Sequence, residues 1–190
     1  MKKEVTIFLI FFVIISLVHR IYFDNYYAYE VKGISMMPNL KDGDDLFVFR
    51  NYYKKNKPEY GDIVITKIET EDDSHFVKRV IALPGDKVKT VDGKVYINNQ
   101  LRTSTTEKSM NIYKETLPNN ISYEILNTTD TSNIDDFDTT EIPEDFIFIL
   151  GDNRKKSLDS RLTGLVEKSN FLHKIVPKDH FVYNFKFLFF

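Results

Sequence analysis

Three short segments carry side chains whose types could support acyl-transfer chemistry. The first contains Ser35, in a segment that Pro38 keeps from continuing as a regular strand or helix. The second contains Lys78, inside an alternating run at 75–86, and the third is a polar loop at 151–161. A serine hydroxyl is a weak nucleophile that needs an adjacent base, so Ser35 by itself indicates only a turn residue.

Lys78 is the residue that could supply this base. Period-two alternation places it on one face of a strand with Phe76, Val80 and Ala82. Burial among such neighbours disfavours the ammonium form and can lower the lysine pKa from about 10.4 to roughly 7. The neutral amine could then accept a proton, which the guanidinium of Arg79 cannot do at any working pH. The alternative is a strand-edge lysine that extends its amine to water.

The loop at 151–161 follows an apolar run and concentrates polar side chains. It contains Asp152, Ser157, Asp159 and Arg161, which could form a network of ion pairs and hydrogen bonds that orients catalytic groups. A solvated turn is the alternative interpretation.

Short runs rich in β-branched and aromatic residues must position these segments. They predict a mainly β protein with antiparallel sheets, and Asp92-Gly93 between two of the runs is typical of a two-residue hairpin turn. The predicted strands lie at 46–49, 63–68, 76–83, 88–91, 95–97, 146–150 and 181–190.

An uncharged apolar run at 5–18 predicts an N-terminal transmembrane helix. With its flanks it extends over 5–23, roughly 28 Å as a helix, which is enough to cross a bilayer. A cleaved leader would need small residues before a cut site, and Tyr26 stands two positions before Ala28. We therefore expect a retained anchor at 1–23. Lys2 and Lys3 favour a cytoplasmic N-terminus, which places 24–190 outside.

The composition restricts the function of the remaining chain. We expect one catalytic domain at 24–190, with an exposed polar insert at about 99–145 where Asn, Thr, Ser, Asp and Glu predominate. The 190-residue chain has a net charge of −2, which disfavours nucleic-acid binding. It has no cysteine, which excludes a thiolate nucleophile and a thiolate metal site. Its four histidines show no metal-ligand spacing, so we predict no metal and no cofactor.

Together these segments resemble the type I signal peptidase family. Each motif is common alone, but their order behind an apolar helix is highly specific. The resemblance rests on 35–38, 60–64, 78–86 and 151–154, with Ser157, Asp159, Ser160 and Arg161.

The resemblance implies a serine–lysine dyad, with Ser35 as nucleophile and Lys78 as general base. It also implies an oxyanion site formed by the Ser35 N–H, with a second donor near Gly33. Ser157 resembles the hydroxyl that orients the lysine, and an ion-pair frame would consist of Asp152, Asp159 and Arg161. The residues expected to line shallow substrate pockets are Val31, Met36, Leu40, Phe76 and Val77.

Two departures from the family pattern stand next to the implied site. Asn39 occupies a position where the family usually has threonine, and Lys155-Lys156 replaces a more usual Asp-Asn pair. Two additional cations would lower the Lys78 pKa further if they lay within about 6 Å.

The expected function is that of a membrane-anchored serine endopeptidase that cleaves signal peptides from exported preproteins after small residues. Its expected place is the cytoplasmic membrane, as a single-pass protein whose catalytic domain lies on the extracytoplasmic side. Its expected partners are secretory preproteins, membrane lipid and the export translocon. The alternatives are a pilus- or conjugation-specific peptidase of the same fold, a self-cleaving repressor with the same dyad, and a non-catalytic anchored β-module.

Overall fold

The computed structural model of the protein describes residues 2–23, 26–68, 74–91, 93–109, 111–127, 136–139 and 141–176. Strands dominate the part that follows the first helix, and each strand pair described is antiparallel. The predicted fold class, mainly β with antiparallel sheets, is confirmed.

The helices are α1 (Lys2–Phe23) and α2 (Ser160–Thr163), and short 3-10 turns lie at Tyr52–Lys54 and Lys168–Asn170. The first seven strands are β1 (Tyr26–Glu30), β2 (Asp45–Arg50), β3 (Ile63–Lys67), β4 (His75–Ala82), β5 (Val88–Val91), β6 (Lys94–Ile97) and β7 (Gln100–Leu101). The others are β8 (Thr103–Ser109), β9 (Ile112–Thr116), β10 (Ser122–Leu126), β11 (Phe137–Asp138), β12 (Phe146–Leu150), β13 (Val166–Glu167) and β14 (Phe171–Val176).

The described strands form three sheets. The largest has seven strands in the order β1-β2-β14-β3-β4-β12-β13, so β4 lies inside it between β3 and β12. A four-stranded sheet has the order β11-β5-β6-β7, and a three-stranded sheet has the order β10-β9-β8. Strands β3 and β4 are antiparallel neighbours, and Val64 is paired with Lys78.

Most predicted strands appear within one or two residues of their expected positions. The run at 88–91 is β5 and the run at 146–150 is β12, and the hairpin of β5 and β6 pairs Val91 with Lys94. Asp92 and the predicted strand at 181–190 lie outside the described residues. Strand β14 was not predicted because His173 and Lys174 interrupt its apolar pattern, yet it inserts between β2 and β3.

The segment at 99–145 is more than an exposed insert. Leu117, Tyr123, Ile125 and Ile142 are buried in a core cluster that also contains residues of β4, β5, β6 and β12. The expected exposure is therefore wrong for these residues. Tyr123 and Ile125 alternate inward along β10, and Leu117 and Ile142 are buried from segments between strands. The limits of the domain and insert stay predictions.

The apolar N-terminal run forms α1, whose apolar side chains are exposed, with Phe8 at 67% and Val5 at 57%. Among the described residues, none of the helices combines the length and the apolarity that a membrane span requires. The transmembrane span accordingly stays a prediction.

Candidate active site

Ser35 and Lys78 lie next to each other although 43 positions separate them in the chain. Strand β1 leads into buried Val31, and the chain then turns at 33–39, beginning with Gly33 at a φ of +88° that favours glycine. Lys78 is in the middle of β4, and its Nζ lies 3.0 Å from Ser35 Oγ. The structure thus brings together the two residues that the sequence predicted as a dyad.

The Lys78 amine is almost completely removed from solvent. Its residue exposure is 1%, its Nζ donates to the Val77 carbonyl oxygen at 3.1 Å, and the Phe76 ring centre lies 5.5 Å away. Burial is the largest influence and lowers the Lys78 pKa from the usual 10.5 to about 8. This direction was predicted, but the pKa stays above neutrality, so about a tenth of the amine is neutral at pH 7.

Two buried carboxylates oppose this effect of burial and limit its size. The charges of Asp159 and Asp152 raise the Lys78 pKa, and that of Arg161 lowers it. Within the described part of the chain, Lys155 and Lys156 are not among the charges that shift this pKa. The expected contribution of the lysine pair to activation therefore has no support.

Each of the two carboxylates is held by an arginine, which keeps it from pairing directly with the amine. Asp152 accepts from Arg79 Nε at 2.8 Å and from Arg79 Nη2 at 2.7 Å. Asp159 accepts from Arg161 Nε at 2.8 Å and from Arg161 Nη2 at 2.9 Å, and it also caps α2. These two bidentate pairs are the ion-pair frame predicted for Asp152, Asp159 and Arg161, with Arg79 as an additional member.

The loop that follows β12 holds the nucleophile segment through its backbone. The Asn153 N–H donates to the Ser35 carbonyl at 3.0 Å, and Asn153 Nδ2 donates to the Ile34 carbonyl at 3.1 Å. Gly151 fits between two neighbours, since an added Cβ would lie 2.5 Å from the Ser35 carbonyl oxygen and 2.2 Å from Ser157 Oγ. Close approach of this loop therefore requires glycine at 151.

Ser157 and Gly33 differ from what the family resemblance implied. Ser157 Oγ is buried and has no hydrogen-bond partner among the described residues, so it does not orient Lys78 here. The Gly33 N–H donates to Asp42 Oδ1 at 2.6 Å and is not available as a second oxyanion donor in this conformation. The Ser35 N–H, in contrast, has no partner within the described ranges and is available to an oxyanion.

The predicted pocket residues surround the dyad mainly as core. Val31, Met36 and Val77 are 2%, 1% and 8% exposed and pack in one cluster, against which Leu40 lies. Phe76 packs against a second cluster on the other side of the sheet. Contact of these five residues with substrate stays a prediction.

A buried ion pair beneath the loop was missed by the sequence analysis. Glu115 of β9 accepts from Arg154 Nη1 at 2.8 Å, from Arg154 Nη2 at 2.5 Å and from Thr103 Oγ1 at 2.7 Å, and the Tyr123 hydroxyl also donates to it. Arg154 is 1% exposed and holds the Glu115 pKa below its ordinary value despite burial. Nothing local marks Glu115, because its partner is 39 positions away.

Comparisons with known proteins give one family. A family model described as signal peptidase, peptidase S26, matches residues 2–178. A signal peptidase I of Bacillus licheniformis is 39% identical over 141 residues, which are 74% of this chain and 69% of that protein. A signal peptidase IB of Staphylococcus aureus (strain COL) is 32% identical over 97% of this chain and 96% of its own length.

Two further matches cover a smaller share of this chain or of the matched protein. A signal peptidase I of Rickettsia prowazekii (strain Madrid E) is 32% identical over 80% of this chain, and the match spans 62% of the relative. A crystal structure of a signal peptidase I from Enterococcus faecalis V583 matches with 25% identity and a TM-score of 0.41, over 64% of this chain and 98% of that one.

Proposed function

The chain belongs to the signal peptidase family, peptidase S26, and on that premise we propose that Ser35 is its nucleophile and Lys78 its general base. It is a serine endopeptidase that cleaves signal peptides from preproteins. The single observation that carries the proposed roles is the 3.0 Å contact between Lys78 Nζ and Ser35 Oγ. This distance lies within reach for direct proton transfer.

The acylation step moves one proton from Ser35 to the leaving amine. Neutral Lys78 accepts the Ser35 hydroxyl proton while Oγ forms a bond to the scissile carbonyl carbon. The developing oxyanion accepts a hydrogen bond from the Ser35 N–H. The C–N bond then breaks, Lys78 returns the proton to the departing amine, and the carboxyl end of the signal peptide remains as an ester on Ser35.

Deacylation repeats the same transfers with water. Lys78 takes a proton from a water molecule as its oxygen attacks the ester carbon, and the proton passes to Ser35 Oγ as the C–O bond breaks. The signal peptide leaves as a free acid and the dyad is restored. Because the amine is restored after each half-reaction, no cofactor is needed in the cycle.

The ion-pair frame around the dyad mainly holds the catalytic residues in position. The pairs of Asp152 with Arg79 and of Asp159 with Arg161 place two balanced charges near Lys78, so the ammonium form is not stabilised by an unpaired carboxylate. Asn153 fixes the backbone of the nucleophile segment from below. We assign Ser157 as a hydroxyl that orients Lys78 after a rotation of its side chain, since its buried oxygen lacks a hydrogen-bond partner among the described residues.

The proposed setting is the outer face of the cytoplasmic membrane. The support is α1, in which the uncharged run at 5–18 exposes apolar side chains that water does not solvate well. A single pass of this helix would hold the domain beside the bilayer, where preproteins are already retained by their own apolar segments. Lipid and the export translocon are then the neighbouring partners, and release of the protein from membranes by alkaline carbonate would exclude this setting.

The decisive experiment uses the detergent-solubilised full chain and a model preprotein. We expect Ser35→Ala and Lys78→Ala to lose at least about 10³-fold in cleavage rate, because both residues act in one unit. Ser122→Ala and Lys114→Ala are matched controls on exposed positions of β10 and β9 and should cleave at the wild-type rate. Near-wild-type cleavage by either dyad variant, measured by gel mobility of the mature product, would reject the proposed roles.

The same assay tests the proposed preference for small residues at the first and third positions before the cut. Substrates with alanine there should be processed, and substrates with a large aromatic residue at either position should not. Equal processing of both would remove this preference.

A further inference from the structure

Asn39 lies four residues beyond Ser35 in the same turn, and its side chain is joined to two other parts of the molecule. Its Nδ2 donates to Asp152 Oδ2 at 2.8 Å and to the Glu124 carbonyl oxygen at 2.7 Å. Both amide hydrogens are thereby used, one on the loop after β12 and one on β10. The turn that carries Ser35 is fixed at this point to two segments that lie 85 and 113 positions along the chain.

The acceptor on the first segment is itself rigid. Asp152 is fully buried and already accepts two hydrogen bonds from Arg79, the residue that follows Lys78 in β4. Asn39, Asp152 and Arg79 therefore form a bridge between the Ser35 turn and the strand that carries Lys78. With the contact between Lys78 Nζ and Ser35 Oγ, the bridge closes into a ring.

The acceptor on the second segment belongs to the same assembly. At the end of β10, the Leu126 N–H donates to the Asp152 carbonyl and the Arg154 N–H donates to the Leu126 carbonyl, both at 2.9 Å. Glu124 is two residues earlier on this strand, so Asn39 donates to a backbone that the loop after β12 already holds. The three segments can shift only together.

We infer that Asn39 is a positioning residue that sets the distance between Ser35 Oγ and Lys78 Nζ, an inference that rests on the proposed function. On its other side the turn is held by Asn153, which bonds the Ser35 and Ile34 carbonyls, and by buried Met36. Without Asn39 the turn loses its bonds to the loop after β12 and to β10, and is held by Asn153, buried Met36 and the packing of Leu40. The hydroxyl is then less firmly placed relative to the amine.

The exposed position of Asn39 indicates that its hydrogen bonds affect the placement of Ser35 and Lys78 more than the stability of the fold. The residue is exposed, so water can replace part of its hydrogen bonding when the two bonds are lost. Proton transfer depends far more steeply on placement, since a displacement of about 1 Å can reduce a rate about 100-fold. The expected signature is a fall in kcat with little change in KM.

The test compares three substitutions in the full chain, with kcat and KM measured on a preprotein and Tm measured in parallel. Asn39→Ala removes both donors, and we expect kcat to fall about 10- to 100-fold with KM within about threefold. Asn39→Asp keeps the shape but cannot donate and repels Asp152, so it should be at least as impaired. Asn39→Thr keeps one hydroxyl donor and should recover part of the loss.

The control is Asn56→Ala, which removes an exposed amide that donates to the Tyr52 carbonyl and to neither dyad residue, and it should leave kcat unchanged. Wild-type kcat in Asn39→Ala and Asn39→Asp would overturn the inference, as would a loss in Asn39→Ala that Asn39→Thr does not reduce. If Asn39→Ala does not fold, the isosteric Asn39→Asp decides by the same criterion. Failure of the proposed function is distinguishable, because Ser35→Ala would then remain active.

Discussion

The buried amine of Lys78 should destabilise the folded protein at neutral pH, and Lys78→Met should therefore raise its stability while abolishing activity. The difference between a pKa of 10.5 and one of about 8 corresponds to about 3 kcal/mol of unfavourable free energy. Methionine loses the hydrogen bonds of Nζ to Ser35 Oγ and the Val77 carbonyl, which offsets about 1–2 kcal/mol. The net gain at pH 7 is about 1–2 kcal/mol, or roughly 2–8 °C in Tm.

The pH dependence of this gain follows from the direction of the pKa change. Below pH 8 the amine is protonated in both the folded and the unfolded state, so the whole cost of burying the ammonium is present. Between pH 8 and 10.5 the unfolded state binds a proton that the folded state lacks, so wild-type stability rises with pH. The advantage of Lys78→Met should shrink through this window and vanish or reverse above it.

The assay is thermal and urea unfolding of the full chain in one detergent at pH 6, 7, 9 and 10.5. Lys114→Met is the matched control, because Lys114 is exposed on β9 and its replacement should change stability only slightly. A Lys78→Met variant that is less stable than wild type at pH 7, or whose gain is the same at pH 7 and 10.5, would refute the reasoning.

Two further predictions concern the reaction itself. Only the neutral amine accepts a proton, so the cleavage rate should rise with pH to a midpoint near 8 and fall about tenfold per pH unit below pH 7. A rate that is flat between pH 6 and 9 would contradict a lysine base. Gly151→Ala should lower kcat at least about tenfold, because its Cβ would lie 2.5 Å from the Ser35 carbonyl oxygen and force the nucleophile turn away from the loop; full activity in a folded variant would show that the turn tolerates the shift.

The dyad could be predicted from the sequence because its signals are local. Alternation in β4 left a buried and a strand-edge Lys78 open, and the segment around Ser35 alone indicated only a turn. The family resemblance selected the dyad, and the structure buries Lys78. The family assignment is confirmed by the matches to signal peptidases. The catalytic roles themselves stay predictions.

The supporting contacts could not be predicted, because they depend on strand register across sheets. Glu115 stands in a segment whose polar composition indicates exposure, and only the packing of β9 against the loop after β12 buries it with Arg154. Asn39 was noticeable as a departure from the family pattern, but neither of its acceptors is within 80 positions of it. The Ser157 hydroxyl, without a partner in the described part of the chain, and the occupied Gly33 N–H likewise depend on local geometry that motif spacing does not encode.

The attachment of β10 to the loop after β12 has a consequence for protein engineering. A chimaera that took 99–145 from another protein would also have to supply an acidic side chain for Arg154 and backbone carbonyls in register with Asn39 and the Arg154 N–H. A graft without them would leave a guanidinium dehydrated and uncompensated, at a cost of roughly 3–5 kcal/mol. Strands β9 and β10 therefore cannot be exchanged without regard to the catalytic loop, even though the segment around them is polar in composition.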